Sequence, residues 1–413
     1  MAIERNPHFD GEGDRPPFAR GLATVTESPA EAQARLEEIH QYLRDQYARR
    51  DIVASTVTEG GTMLDWVPIE SQLGDGGSVA EPPGENQPFE RLDGDRPIEP
   101  TRFELEHPNA ELGPPGTIPL VRLPVEKITP EVGLNDWLAK GTHAMTVTPT
   151  GELTTRAATV HKYGSSAQSV TAYGTSGNIN VWHTFVEYSS EFSLGQLALT
   201  RGSGTGRQTV EVGHQVYKDL YGDWLPHLFI FYTTNGHTQS GDYKGGYNQN
   251  VAGWVQASNT LYPGALSSPL STFGGAQYQM ALKVQLWQGN WWVQVNGVWM
   301  GYYPASLFNS AGLRSQADVV HWFGEVVDDG TDPATTRTDM GSGRWPYQGW
   351  QQCAFMNNLM YQSDTGGTMQ PYRGSAWSSH PNCYTLEDHF SSGDASWGSY
   401  CWWGGSGRNS SCP

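Results

Sequence analysis

Two glutamates stand where a carboxylate is expensive. Glu325 lies in HWFGEVVDD, residues 321–329, and Glu211 in TVEVGHQV, residues 209–216. Both stretches are β-branched and aromatic, so each reads as a strand. Alternation puts Thr209, Glu211, Gly213 and Gln215 on one face, with Val210, Val212 and Val216 on the other. It likewise groups His321, Phe323, Glu325 and Val327 against Trp322 and Val326. A lone strand glutamate is ordinarily solvated or salt-bridged. Two on glycine-flanked strands, in a chain whose last lysine is Lys283, point instead to a paired-carboxylate site. Such a pair shares one proton: the ionised member deprotonates a water, and the protonated one polarises a carbonyl or protonates a leaving nitrogen. A free glutamate titrates at roughly 4.3, so this chemistry belongs to acid. Which glutamate takes which role is left open at this point.

Other groupings are weaker. RGSGTGR at 201–207 joins strands and lacks the lysine and serine of a phosphate loop, so it reads as a hairpin turn. MGSG at 340–343 lacks the strand-to-helix setting of a nucleophile elbow. His214, His227 and His237 show no zinc spacing, and neither a metal nor a cofactor is expected. Trp291, Trp292, Tyr302 and Tyr303 are aromatic enough to wall a groove, although such residues also serve as sandwich core. Cys353, Cys383, Cys401 and Cys412 fall among Gly, Ser and Trp with no close C-x-x-C pair, which reads as two disulfides in an exported protein.

These residues need a framework. Ser28-Pro29-Ala30-Glu31 is a capping box, and Leu36, Ile39 and Leu43 follow at helical spacing, so a helix is expected over about 29–49. Residues 70–116 have linker composition, GPPGTIPLVRLP at 113–124 reads as extended, and a short helix capped by Thr129 is expected over 129–140. After 150 come short strands, among them 178–187, 191–200, 208–217, 227–233, 251–257, 277–288, 290–296 and 318–327, punctuated by Gly289-Asn290 and Asn296-Gly297. The expected fold is all-β: an antiparallel, jelly-roll-like sandwich over 146–413, preceded by a partly helical, partly extended segment over 1–145. The net charge of −18, concentrated before residue 150, argues against nucleic acid. No stretch suits a membrane span, and MAIERNPHFD is no signal peptide.

Several motifs together resemble the neprosin family of glutamic endopeptidases. They are YGTSGNINVW (173–182), EFSLGQ (191–196), TVEVGH (209–214), GYYP (301–304), WFGEV (322–326), MGSGRWP (340–346), and a tail with NCY, WGSY and GGSGRNSSCP. GPPGTIPLVR resembles the family's activation peptide. The resemblance implies a secreted enzyme that cleaves after proline in acid, with Glu211 and Glu325 as its catalytic pair. It also implies a zymogen whose pro-segment inhibits the site until the chain cuts itself, with Pro130 and Pro149 as candidate cut points. Pro-segment carboxylates are expected to dock on the domain's arginines and backbone donors. The tail pattern implies a Cys383–Cys412 bridge, leaving Cys353–Cys401 as an extra pair. The sequence departs from the family pattern at His214, and at Gly246 and Val251 where plant members carry a disulfide. A glycosidase or carbohydrate-binding sandwich is the alternative reading.

Overall fold

The computed structural model describes residues 28–74, 76–84, 96–140, 145–147, 153–155, 159–237, 245–330, 334–391 and 396–413. Helix α1, Pro29–Ala48, starts as expected: the Ser28 hydroxyl accepts from Glu31 N, and Glu31 reaches back to Ser28 N. The second helix is shorter than the expected 129–140. α2 spans only Leu134–Leu138 and starts at Gly133, with no side-chain cap. No helix among the described residues is long and apolar enough to cross a membrane.

Two antiparallel sheets form the sandwich. The first contains β1 (Val160–Ala172), β2 (Phe192–Arg201), β3 (Gln208–Val216), β4 (His227–Thr233), β5 (Gly245–Tyr247), β6 (Ala317–Asp328) and β7 (Ser375–Ser378), in spatial order β5-β4-β3-β2-β6-β1-β7. The second is built on Gly174–Asn180, Gln277–Trp287, Asn290–Val295, Val298–Pro304, Ala354–Gln362 and the tail strands Thr385–His389 and Tyr400–Gly404. Its hairpins turn at Gln288-Gly289 and Asn296-Gly297, all four residues having positive φ, the geometry that tight hairpins require. Val210, Val212, Leu197, Leu199, Ile230, Val320, Trp322 and Val326 fill the space between the sheets together with Val284, Trp291, Val293 and Met300.

The described residues between 28 and 140, expected to be partly helical and partly extended, pack closely on this body. Strands Ala54–Val57, Met63–Pro68 and Thr117–Arg122 make a small sheet, so GTIPLVR is a strand. Leu64, Trp66, Phe103 and Leu105 join the main apolar cluster, and Ile98–Pro100 runs parallel to Gln277–Trp287. Gln72 caps the sheet edge at Gln256, its side-chain amide accepting from Gln256 N and donating to Gln256 O, as an edge strand would. The expected docking of pro-segment carboxylates on the domain's arginines is not the pattern at Asp65. Buried Asp65 pairs with Arg50 and Arg122 of its own segment. Glu104 does use domain donors, accepting from Tyr262 Oη at 2.6 Å and Leu266 N at 3.1 Å.

Candidate active site

Glu211 is on β3 and Glu325 on β6, the two neighbours of β2. Register places Ala198 opposite Glu211 and Leu194 opposite Glu325. Gln196 therefore sits midway between them on the same face. This is the outer face of the first sheet, away from the main core, as the alternation of β3 and β6 requires. Gly213 lets the strands close up here: a Cβ at that position would lie 2.0 Å from Gly195 O.

What lies between the glutamates is not a proton but an ammonium. Lys140 Nζ is 2.6 Å from Glu211 Oε2 and 2.9 Å from Glu325 Oε2, all three side chains being buried. The two carboxylate oxygens are thus no further apart than these distances summed. Lys140 also donates to Gln196 Oε1 at 2.9 Å and lies 5.7–5.9 Å from the rings of Phe229, Phe231 and Phe323. Burial alone pushes its pKa down, but the two glutamates outweigh this and raise it. The lysine arrives on the short chain leaving α2, which Trp137 pins by donating from Nε1 to Asp219 O at 2.8 Å. Leu123, Ile128 and Trp137 pack with Ile39 and Leu43 of α1 onto Phe192, Leu194, Phe229, Phe231 and Val327. This second cover explains why HLFIFYT, β4, is apolar on both faces.

The glutamates differ in their remaining partners. Glu211 Oε1 accepts from Thr209 Oγ1 at 2.8 Å, and Oε2 from Gln196 Nε2 at 2.9 Å. His237 Nε2 stands 3.8 Å from Oε1. Glu325 Oε1 meets His161 Nδ1 at 2.5 Å. Burial pushes both carboxyl pKa values up. Lys140 overrides it in each case: Glu211 ends below its ordinary value and Glu325, with His161 assisting, falls to about 2. Tyr163, directly across from Glu325, is held neutral by burial and by the adjacent carboxylates.

Several other expected site residues lie elsewhere. Trp291 and Tyr303 belong to the inter-sheet core, while Trp292 and Tyr302 face outward from the second sheet, on the side of the sandwich remote from the glutamates. There Leu73, Val79 and Ala80 cover them. Adjacent strand residues necessarily face opposite ways, so Trp291 and Trp292 could not have formed one wall. His214 points inward against Trp403 and is buried, which lowers its pKa to about 4. Cys383 and Cys412 are bridged. Cys353 and Cys401 are free and buried, correcting the expected second disulfide. Pairing sets Cys401 opposite Met356 and Trp403 opposite Ala354. Cys353 therefore sits out of register, in a different apolar cluster, where a cross-strand bridge cannot close. Gly246 and Val251 remain adjacent, a Cβ on Gly246 reaching Val251 Cγ1 at 2.7 Å.

Among the described residues, one acidic group has oxygens close enough for a shared cation: Glu191, Asp328 and Asp329, within 4.8 Å of one another. Protein donors serve it. Lys162 pairs with Asp328 at 2.6 Å, and the Thr336 and Thr338 hydroxyls donate to Glu191. Of the candidate cut points, Pro130 is buried and its carbonyl accepts from Arg35. Pro149 lies outside the described residues.

A family model described as Neprosin matches residues 189–406, a span that includes both glutamates. Among solved structures, the chain is similar to scytalido-glutamic peptidase with a peptide-based transition state analog, at 9% identity and TM-score 0.30, over 59% of this chain and 98% of that one. It is similar to SCP-B, of the Eqolisin family of peptidases, with the same identity, coverage and TM-score. It is also similar to a glycoside hydrolase family 16 endo-glucanase from Bacteroides ovatus, at 6% identity and TM-score 0.26, over 60% of this chain and 80% of that one.

Proposed function

The chain belongs to the Neprosin family of glutamic-type peptidases, and on that premise we propose that it is a secreted, acid-active endopeptidase that cuts after proline. In this reading Glu211 and Glu325 form the catalytic pair, and residues 1–145 act as an intramolecular inhibitor. The observation that carries it is the double ion pair of Lys140. Only two carboxylates converging on one point can hold a single buried ammonium at 2.6 and 2.9 Å. That point is where a water and a scissile carbonyl would have to sit.

Withdrawal of Lys140 leaves two buried carboxylates side by side, a pair that cannot stay doubly charged and takes up one proton. The ionised member then removes a proton from water as it attacks the carbonyl. The neutral member hydrogen-bonds the carbonyl oxygen and then passes its proton to the departing nitrogen, while the proton taken from water stays on the first carboxyl as the shared proton, so no covalent intermediate is required. Phe229, Phe231, Phe323 and Tyr163 surround the vacated position, and their flat apolar surfaces suit a proline ring. They replace Trp291, Trp292, Tyr302 and Tyr303 as the proposed walls. An exported location fits the tail disulfide.

The experiment uses a quenched proline-containing peptide with the chain taken to pH 4 or below. Glu211→Gln and Glu325→Gln should each abolish cleavage while leaving the circular dichroism and melting curve of a folded sandwich. Cleavage at a wild-type rate by either folded variant would remove that residue from the mechanism.

A further inference from the structure

We propose that His161 is a positioning residue that makes Glu325 the ionised member of the pair and leaves the shared proton on Glu211. Its catalytic meaning rests on the peptidase reading above; the observation does not. His161 lies outside the span that the family model matches.

In the latent chain the asymmetry is hidden, because Lys140 contacts both glutamates. Remove Lys140 and the surroundings are unequal. Glu325 retains the His161 ring nitrogen at 2.5 Å. Glu211 retains the Thr209 hydroxyl and the Gln196 amide, while His237, at 3.8 Å, is beyond ordinary hydrogen-bond length. Glu325 also keeps a side-chain hydrogen bond with Tyr163 on β1, whose neutral hydroxyl adds no charge, whereas Tyr247 on β5, His321 on β6 and Arg207 before β3 face the pair at longer range.

The chemistry of these partners differs in kind. Imidazolium is a donor that carries a full charge, so it favours a carboxylate over a carboxylic acid, whose O–H finds no acceptor on it. A hydroxyl and a carboxamide work in both directions. Thr209 can donate to a carboxylate or accept from an acid. Gln196 Oε1, now accepting from Lys140, is released when the lysine leaves, and an amide rotation lets it accept the Glu211 proton. The fold sets this up through register. His161 is opposite Val327 and Tyr163 opposite Glu325, so His161 and Glu325 are diagonal neighbours on the outer face, within reach of long side chains. The His161 side chain is 18% exposed, which leaves it in proton exchange with solvent.

The test needs no turnover. In the full chain carrying Lys140→Met, the isotope-labelled carboxyl carbons of glutamate are titrated by NMR, with the two resonances assigned from Glu211→Gln and Glu325→Gln. Glu325 should titrate below Glu211. His161→Phe should raise Glu325 by about one pH unit or more, a tenfold change in its ionisation constant, and His161→Gln, which keeps a neutral donor, should fall between. The inference is overturned if Glu211 ionises first, or if Glu325 titrates unchanged in a folded His161 variant. His161→Gln decides the matter should His161→Phe fail to fold. The peptidase reading fails separately: the stated titration order in a protein with no cleavage at any pH would sink that reading and leave the pairing intact.

Discussion

Replacing Lys140 should unlatch the full-length chain. The Lys140→Met side chain keeps the bulk between Phe229, Phe231 and Phe323 but removes the charge that two buried carboxylates share. The folded structure holds Glu325 at about 2, against an ordinary value of 4.5. That depression corresponds to about 3 kcal/mol from this one carboxylate, of which His161 supplies part. The figure agrees with the roughly 3–5 kcal/mol lost when one partner of a buried ion pair is removed. The sign follows from the direction of the shift. A depressed carboxyl contributes stability above its ordinary pKa and loses it as pH falls through the folded value. The wild-type latch is therefore intact at pH 5 and loosens between 4.5 and about 2. In Lys140→Met this pH dependence shrinks, because a proton already replaces the ammonium. Because His161 stays in the variant, only the Lys140 share is lost, and the latched-to-open ratio should fall by about ten- to a hundredfold. Full-length Lys140→Met, confirmed uncut on a gel, should then hydrolyse a quenched proline peptide at pH 5, where full-length wild type is idle. Equal idleness of both proteins at pH 5, with unchanged release midpoints on acidification, would refute the latch.

The free thiols provide an independent check on the tail. Burial pushes the Cys353 and Cys401 thiols up, so a thiol reagent should label neither in the native chain and both once it is denatured, and peptide mapping without reductant should find only Cys383–Cys412. Replacing Cys383 and Cys412 together by serine opens a loop of sequence separation 29 and should lower stability by about 2–4 kcal/mol, read as a shift of the urea midpoint. The Glu211→Gln and Glu325→Gln chains should also fail to process themselves at pH 4, whereas wild type yields a product that begins between residues 125 and 155; processing at the wild-type rate in either would mean that another protease makes the cut.

The glutamates were legible because alternation is local. Once TVEVGH and HWFGEV are strands, Glu211 and Glu325 must leave the face that Val212 and Trp322 occupy. Their partner was not legible. Lys140 is 71 residues from Glu211, in a stretch whose pattern suggests only a short helix, and nothing local says which face its terminus will meet. The scarcity of lysine after residue 150 suggested unpaired glutamates, but a lysine from before that point, Lys140, pairs both. The aromatic walls failed for the same reason. Sequence shows that Trp291 and Trp292 face opposite ways, but not which sheet face lies near the glutamates; that depends on sheet order. The Cys353–Cys401 pairing needed the register of two strands that are far apart in sequence. His161 precedes Tyr163 in a strand that the sequence reading passed over, because its Gly164-Ser165-Ser166 run lacks the β-branched residues that mark strands.

The covering of the first sheet has a further consequence for the order of manufacture. A chain is made from its N-terminus, and domains form as they emerge. Lys140 is therefore synthesised before β3 and long before β6, and Leu64, Trp66 and Phe103 are waiting when the strands that pack on them appear. When Glu211 and Glu325 meet on the first sheet, the ammonium that contacts both has therefore already been made. Residues 146–413 made alone would emerge with the apolar flank of Phe192, Phe229 and Phe231 unsheltered, since Ile39, Leu43 and Trp137 are what pack on it.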